Sequence, residues 1–206
     1  MASRNRTLMA SIRRTGQIAG LVRRTVTFIA LRPIRRLNVQ NYGAKQMANS
    51  WRTVRKNTIQ IAEEIPADQY AYQAAPDMMT VAQILAHIAT SPYWAEQVHF
   101  VERKSALAIP DFGAYFGKSG AMAAALTTKD AIVDSLIAGG ESFALQLEAM
   151  TAEQLDEMVQ LPNASKSRFE MLLGVKEHEM HHRAQLMLVE RLLGIVPHLT
   201  RARQQR

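Results

Sequence analysis

The run from Ser165 or Ser167 to Leu193, closed by Gly194 and Pro197, reads as one long helix with the usual glycine and proline stop behind it. A helix of that length with apolar residues at helical spacing must lie against other helices, and three further segments can supply them. The first spans Ala48 to Glu64, with apolar Trp51, Val54, Ile59, Ile61 and Ala62 set among Arg, Lys and Asn. The second starts after Asp77 or with Thr80 as its cap and reads "VAQILAHIATSPYWAEQVHFVERK". Pro92 falls inside it and predicts a kink or a break, because it lacks an N–H and crowds the preceding turn. The third runs from Thr127 or Thr128 to Met150, weakened in its middle by Gly139-Gly140, and "TAEQ" at 151–154 matches a capping box for one more short turn.

Between the second and third helices lies "SALAIPDFGAYFGKSG", residues 105–120, which reads as a long loop of the kind that often covers a site. Alternating β-branched runs are scarce, and Ala, Leu, Met, Gln and Glu, good helix formers, dominate. The expectation is an all-α fold: a four-helix bundle, up-down, with one long crossover loop and a basic arm in front.

Charge divides the chain unevenly. The net charge of +7 arises before residue 47: residues 1–46 hold nine Arg and Lys45 and no acid, and the first acid is Glu63. The remainder carries 15 basic and 18 acidic groups, so nucleic-acid binding by the folded part has no support. Residues 1–46 are therefore expected to be an extension, 47–200 the bundle, and 201–206 a basic tail. The Arg-rich, Ser/Thr-containing, acid-free arm fits an upstream start with Met47 as the natural beginning, a targeting segment, or a surface contact. Its apolar run is split by Arg23 and Arg24, so neither a secretory signal nor a membrane span is expected, and the protein is expected in the cytoplasm. There is no cysteine, which excludes disulfides, thiolate-ligated zinc and a protein thiol nucleophile.

The chemistry concentrates in "KEHEMHHRAQ", where three of six histidines fall within five residues. His178 and His182, four apart on a helix, share a face and can converge on one ion; His181 is three from His178 and is the alternative. His178-Glu179-Met180-His181-His182 also satisfies the HExxH pattern of zinc proteases. The extended form of that motif fails, because Gln185 and Leu188 stand where Gly and a third His belong. Glu190 is the only acid after His182 and lies on the same helix, and His198 is the only later imidazole. Glu179 sits about 100° around the helix from the ligand pair and makes a poor general base. A third ligand is thus expected from upstream, from His87 in an apolar mid-helix setting or, with less support, from His99 beyond the proline break. Three neutral imidazoles favour a divalent transition metal such as zinc, nickel, iron or copper, and leave a position open.

"AQILAHIATSPYW" and "HEMHHRAQLMLVERLLGIVP" resemble the DinB/YfiT-like superfamily of metal-binding four-helix bundles over roughly Ala48 to His198. The HExHHRxQ block carries most of the likeness, and Ala184 stands where the family usually has Gly. The resemblance implies a metal site of His87, His178 and His182 with positions left for water or substrate, and His181 and Gln185 as neighbours. It also implies zinc or nickel, a homodimer, and a small-molecule substrate, because characterised relatives include transferases and isomerases that use low-molecular-weight thiols. The expected function is transfer of such a thiol to an electrophile, with metal-dependent hydrolysis or a non-catalytic metal-binding stress-response bundle as alternatives. A pocket lined by residues such as Phe112, Tyr115 and Phe116 would favour an enzyme.

Overall fold

In the computed structural model the described residues are 42–204, so the readings of residues 1–41 lie outside them. Helix α1 (Ala44–Glu64) begins upstream of the expected Ala48, with the Gln46 side chain accepting the Gly43 N–H at 3.2 Å. Met47 and Ala48, read as the opening of the bundle, are buried within it. Its core face carries Trp51, Val54, Ile61 and Ala62 at helical spacing, with Arg55 and Thr58 buried among them.

Helix α2 (Val81–Thr90) is opened by a reciprocal cap between Thr80 and Gln83 and is apolar on nearly every side, which suits a helix enclosed by neighbours. Pro92 does interrupt the second segment: a three-residue α3 (Tyr93–Ala95) follows it, and Glu96–Val101 is wound as a π-helical turn.

The expected long loop is a correction. Residues 109–125 form a helix, α4 (Ile109–Ala125), which packs on α2 and α3. Asp111 caps its first turn by accepting the Ala108 N–H at 2.7 Å, and Tyr115 and Ser119 are buried beneath it. The glycines that suggested a loop lower intrinsic helix propensity by about 1 kcal/mol each. Tertiary contact outweighs them, including the Ser119 hydroxyl donated to the Thr90 carbonyl at 2.9 Å.

Helix α5 (Lys129–Glu148) is capped by Thr128, and the short α6 (Ala152–Asp156) by the expected Thr151–Gln154 box. Next comes a hairpin that sequence reasoning did not foresee, β1 (Met158–Leu161) and β2 (Ala164–Ser167), with Met158 opposite Ser167 and Leu161 opposite Ala164. Ser167 caps α7 (Arg168–Leu192), which stops before Gly194 at φ +77°. Residues 201–204, read as tail, belong to α8 (His198–Gln204), where Arg201 pairs with Glu64 at 2.5 Å.

The bundle is made of α1, α2, α5 and α7. Each of α1 and α2 packs against both α5 and α7. The packing of α1 on α5 explains Gly140. The Trp51 indole N–H donates to the Gly140 carbonyl at 2.8 Å, and a Cβ on Gly140 would lie 2.5 Å from Arg55 Cγ. Among the described residues no helix is long and apolar enough to cross a membrane.

Candidate metal centre

His87 enters the bundle interior from α2, and His178 and His182 enter from consecutive turns of α7. His178 Nε2 lies 3.1 Å from His87 Nε2 and 3.2 Å from His182 Nε2. All three ligand nitrogens fall within 4.8 Å of one another, and theirs is the only such group among the described residues. Two ligands on a tetrahedral zinc at about 2.05 Å stand about 3.3 Å apart, so this spacing fits a shared cation.

The protonation pattern fits as well. His182 Nδ1–H donates to Gln185 Oε1 at 2.9 Å, which leaves the lone pair of the neutral ring on Nε2, facing the cluster. The same Gln185 presents its amide nitrogen to His181 Nε2 at 3.3 Å, so its orientation satisfies both neighbours. Burial, followed by the imidazoles of His182 and His87, pushes His178 down to about 4. Burial and His182 lower His87, while burial and His181 lower His182 against the opposing effect of Gln185. Three rings held neutral at pH 7, with nitrogens that cannot all satisfy one another by hydrogen bonds, form a donor set suited to a transition metal.

The other candidates fall elsewhere. His181 is exposed and packs edge-on against His182, with ring centroids 5.0 Å apart. His99 is buried on the π-helical turn with Nδ1 facing Arg168, and His198 is buried on α8 facing Asn57. Glu179 turns away from the cluster: its carboxylate takes Arg55 Nη2 at 2.9 Å and the Thr58 hydroxyl at 2.7 Å, with both ionic side chains at most 3% exposed. Arg55 also donates to the Leu136 carbonyl at 3.0 Å and lies over the Trp51 ring. The acid of the HExxH pattern is therefore a structural ion-pair partner. Arg55 was the residue sequence reasoning missed, although its place one turn after Trp51 on the core face was a readable signal.

A pocket of about 530 Å³ opens over His87 and His178. Trp94, Phe112, Phe116, Leu161, Met171 and Val175 form apolar walls, Ser91 lies one turn beyond His87, and Lys166 and Glu170 are the charged residues in the lining. Phe112 and Phe116 are where the sequence reading expected pocket residues. Tyr115 instead points into the core and donates its hydroxyl to Glu102 at 2.9 Å. Lys166 reaches the pocket from β2, so the unforeseen hairpin supplies part of the wall.

Fold and site together define a four-helix bundle with an interior three-histidine cluster beneath an apolar pocket. The chain belongs to the DinB superfamily, whose family model matches residues 50–186. Among solved structures it is similar to a DinB-like protein from Bacillus subtilis at 23% identity and TM-score 0.56, covering 72% of this chain and 92% of that one. It is also similar to YfiT from Bacillus subtilis, a probable metal-dependent hydrolase with an unusual four-helix bundle topology. That likeness has 15% identity and TM-score 0.58, covering 80% of this chain and 94% of that one. No curated protein matches the chain.

Proposed function

We propose that this protein is a metal-dependent enzyme that holds zinc or nickel on His87, His178 and His182 and transfers a low-molecular-weight thiol to an electrophile. The observation that carries the reading is the apolar pocket set directly over two of the three converging imidazoles, rather than a filled core. A bound divalent cation would supply the charge that lowers a thiol's pKa so that it reacts as thiolate. The thiol comes from solution, because the chain has no cysteine.

The protein's own residues do the rest. Gln185 fixes the tautomer and orientation of His182, as outer partners of metal-binding imidazoles do. Trp94, Phe112 and Phe116 exclude water around the reacting groups and seat the apolar acceptor. The Ser91 hydroxyl, bound only weakly to the Ile88 carbonyl at 3.4 Å, is placed to donate to a polar group of the acceptor.

A second reading, metal-dependent hydrolysis, draws on the likeness to YfiT. Elemental analysis of the purified chain beside a His178→Ala/His182→Ala variant tests what both readings share. The expected result is one transition metal per chain, absent from the variant. Zinc added at about a hundred times its Kd should raise the parent's stability by about 2.7 kcal/mol and leave the variant unchanged. Failure to retain zinc or nickel after reconstitution would sink both. Thiol consumption that requires an electrophile, against turnover of esters or amides without thiol, decides between them.

A further inference from the structure

A second cavity, of about 320 Å³, lies beside the π-helical turn and is lined in part by His99, Arg103, Gln154 and Arg168. Both charged residues in its lining are arginines, and no carboxylate lines it. The two play different parts. Arg168 is 2% exposed, and its guanidinium is fully committed. Nε donates to Glu157 at 2.8 Å, Nη1 to the Val98 carbonyl at 3.4 Å and to His99 Nδ1 at 3.2 Å, and Nη2 to the carbonyls of Arg103 at 3.3 Å and Lys104 at 3.0 Å. That accounts for all five guanidinium N–H groups.

The Arg168 contacts determine the state of His99. A guanidinium cannot accept a hydrogen bond, so His99 Nδ1 is the acceptor and the ring proton sits on Nε2. Burial and the Arg168 charge keep the ring neutral, pushing it down to about 3. The buried Nε2–H then has no acceptor among the described residues.

Arg103 holds the left-handed backbone conformation at φ +50°, the one non-glycine residue with positive φ among those described. That turn directs its carbonyl at Arg168 and leaves its side chain, 54% exposed, at the pocket with only a 3.7 Å contact to Glu157. Gln154 is oriented too: its Oε1 accepts the Thr151 N–H at 2.9 Å, which leaves its amide hydrogens unpartnered among the described residues. One carboxylate, Glu157, thus lies between two guanidinium groups.

We infer that this cavity is a second binding site, separate from the histidine cluster, for the carboxylate or phosphate group of a small organic anion. The Arg103 guanidinium and the Gln154 amide hold the anionic group, and His99 lies in the wall beneath it. Met150 and Phe100 give the remainder of the ligand an apolar seat. The site also reaches the first pocket through one contact, because His99 packs edge-on against Trp94, with ring centroids 5.9 Å apart, and Trp94 lines the pocket over the histidine cluster.

The test is calorimetric titration of the full chain with benzoate and, separately, with inorganic phosphate, using benzamide as the uncharged control. One saturable site for at least one of the two anions and none for benzamide is expected; which anion binds identifies the headgroup. Arg103→Asn keeps a residue that tolerates positive φ and should weaken binding about tenfold or more. The ring resonances of His99, followed by NMR, should shift on saturation and show the Nε2–H tautomer throughout. His178→Ala/His182→Ala should bind as the parent does, which separates this site from the proposed metal centre. Absence of saturable anion binding, or binding unchanged in Arg103→Asn, overturns the proposal.

Discussion

Helix α7 carries two polar clusters on neighbouring residues, and they are built on opposite terms. Glu179 and its partners Arg55 and Thr58 form a closed unit in which an ion pair at 2.9 Å is supplemented by further hydrogen bonds from side chains and to carbonyls. His178 and His182, with His87, form an open unit in which three nitrogens converge and only Gln185 and His181 continue the network outward. Both clusters are polar groups inside an apolar bundle, and burial costs free energy in both. The first offsets that cost within the protein and so acts in folding. The second turns its nitrogens on one point beneath a pocket, where they cannot all satisfy one another by hydrogen bonds. Saturation of hydrogen bonds, more than burial, separates the structural site from the candidate functional one.

The largest expected effect breaks the closed unit. Glu179→Gln leaves Arg55 charged and buried without its counter-ion, and should cost about 3–5 kcal/mol, read by urea denaturation. His178→Ala, in the open unit, should change the stability of the metal-free protein at pH 7 far less while abolishing its stabilisation by zinc. Equal losses in the two variants would show that the histidine cluster is as structural as the ion pair.

Next comes Gly140→Ala. Its new Cβ would meet Arg55 Cγ at 2.5 Å, so it should destabilise by about 1–3 kcal/mol through displacement of the Arg55 side chain. A neutral result would mean that α1 and α5 can part without disturbing the ion pair.

Two pH slopes of opposite sign, each spread over more than two pH units, complete the comparison. His178 has a folded pKa of about 4 against an ordinary 6.5, so between those values the unfolded chain binds more protons. Stability of the metal-free protein should therefore fall as pH drops from 6.5 to 4, and His178→Ala should flatten part of that slope. Glu190 runs the other way. It is buried with neither carboxylate oxygen hydrogen-bonded among the described residues, and burial followed by the Glu64 charge raises it from 4.5 to about 7. Its folded form holds the extra proton, so its contribution to stability is lost as pH rises from 4.5 to 7. Glu190→Gln should stabilise the protein above pH 7 and do little at pH 4.5, compared by thermal melts at both ends. A variant that is equally stabilised at both ends would mean that Glu190 is not neutral in the fold.

Much of the fold was legible in the sequence because the signals were local. Thr80, Thr128 and Ser167 mark helix starts by caps that the structure reproduces, and Pro92 and Gly194 mark a break and a stop. Local signals also misled. Gly113, Gly117 and Gly120 suggested a loop where contact with α2 and α3 stabilises α4, and the hairpin at 158–167 is too short for strand periodicity to announce. At the site, the i, i+4 spacing of His178 and His182 was readable without any fold, since a helix alone puts them on one face.

The sequence by itself therefore determined the four helices of the bundle, the shared face of His178 and His182, and the absence of a thiol from this chain. Only the tertiary structure decided between His87 and His99 as the neighbour of that pair, and the two lie 12 residues apart on opposite sides of the proline break. The reason is that convergence depends on how separate helices are packed. The fit of α2 against α7 brings His87 Nε2 to 3.1 Å from His178, while Arg168 takes His99. The same packing set Glu179 against Arg55, 124 positions earlier, and so made the acid of a protease-like motif into part of the core.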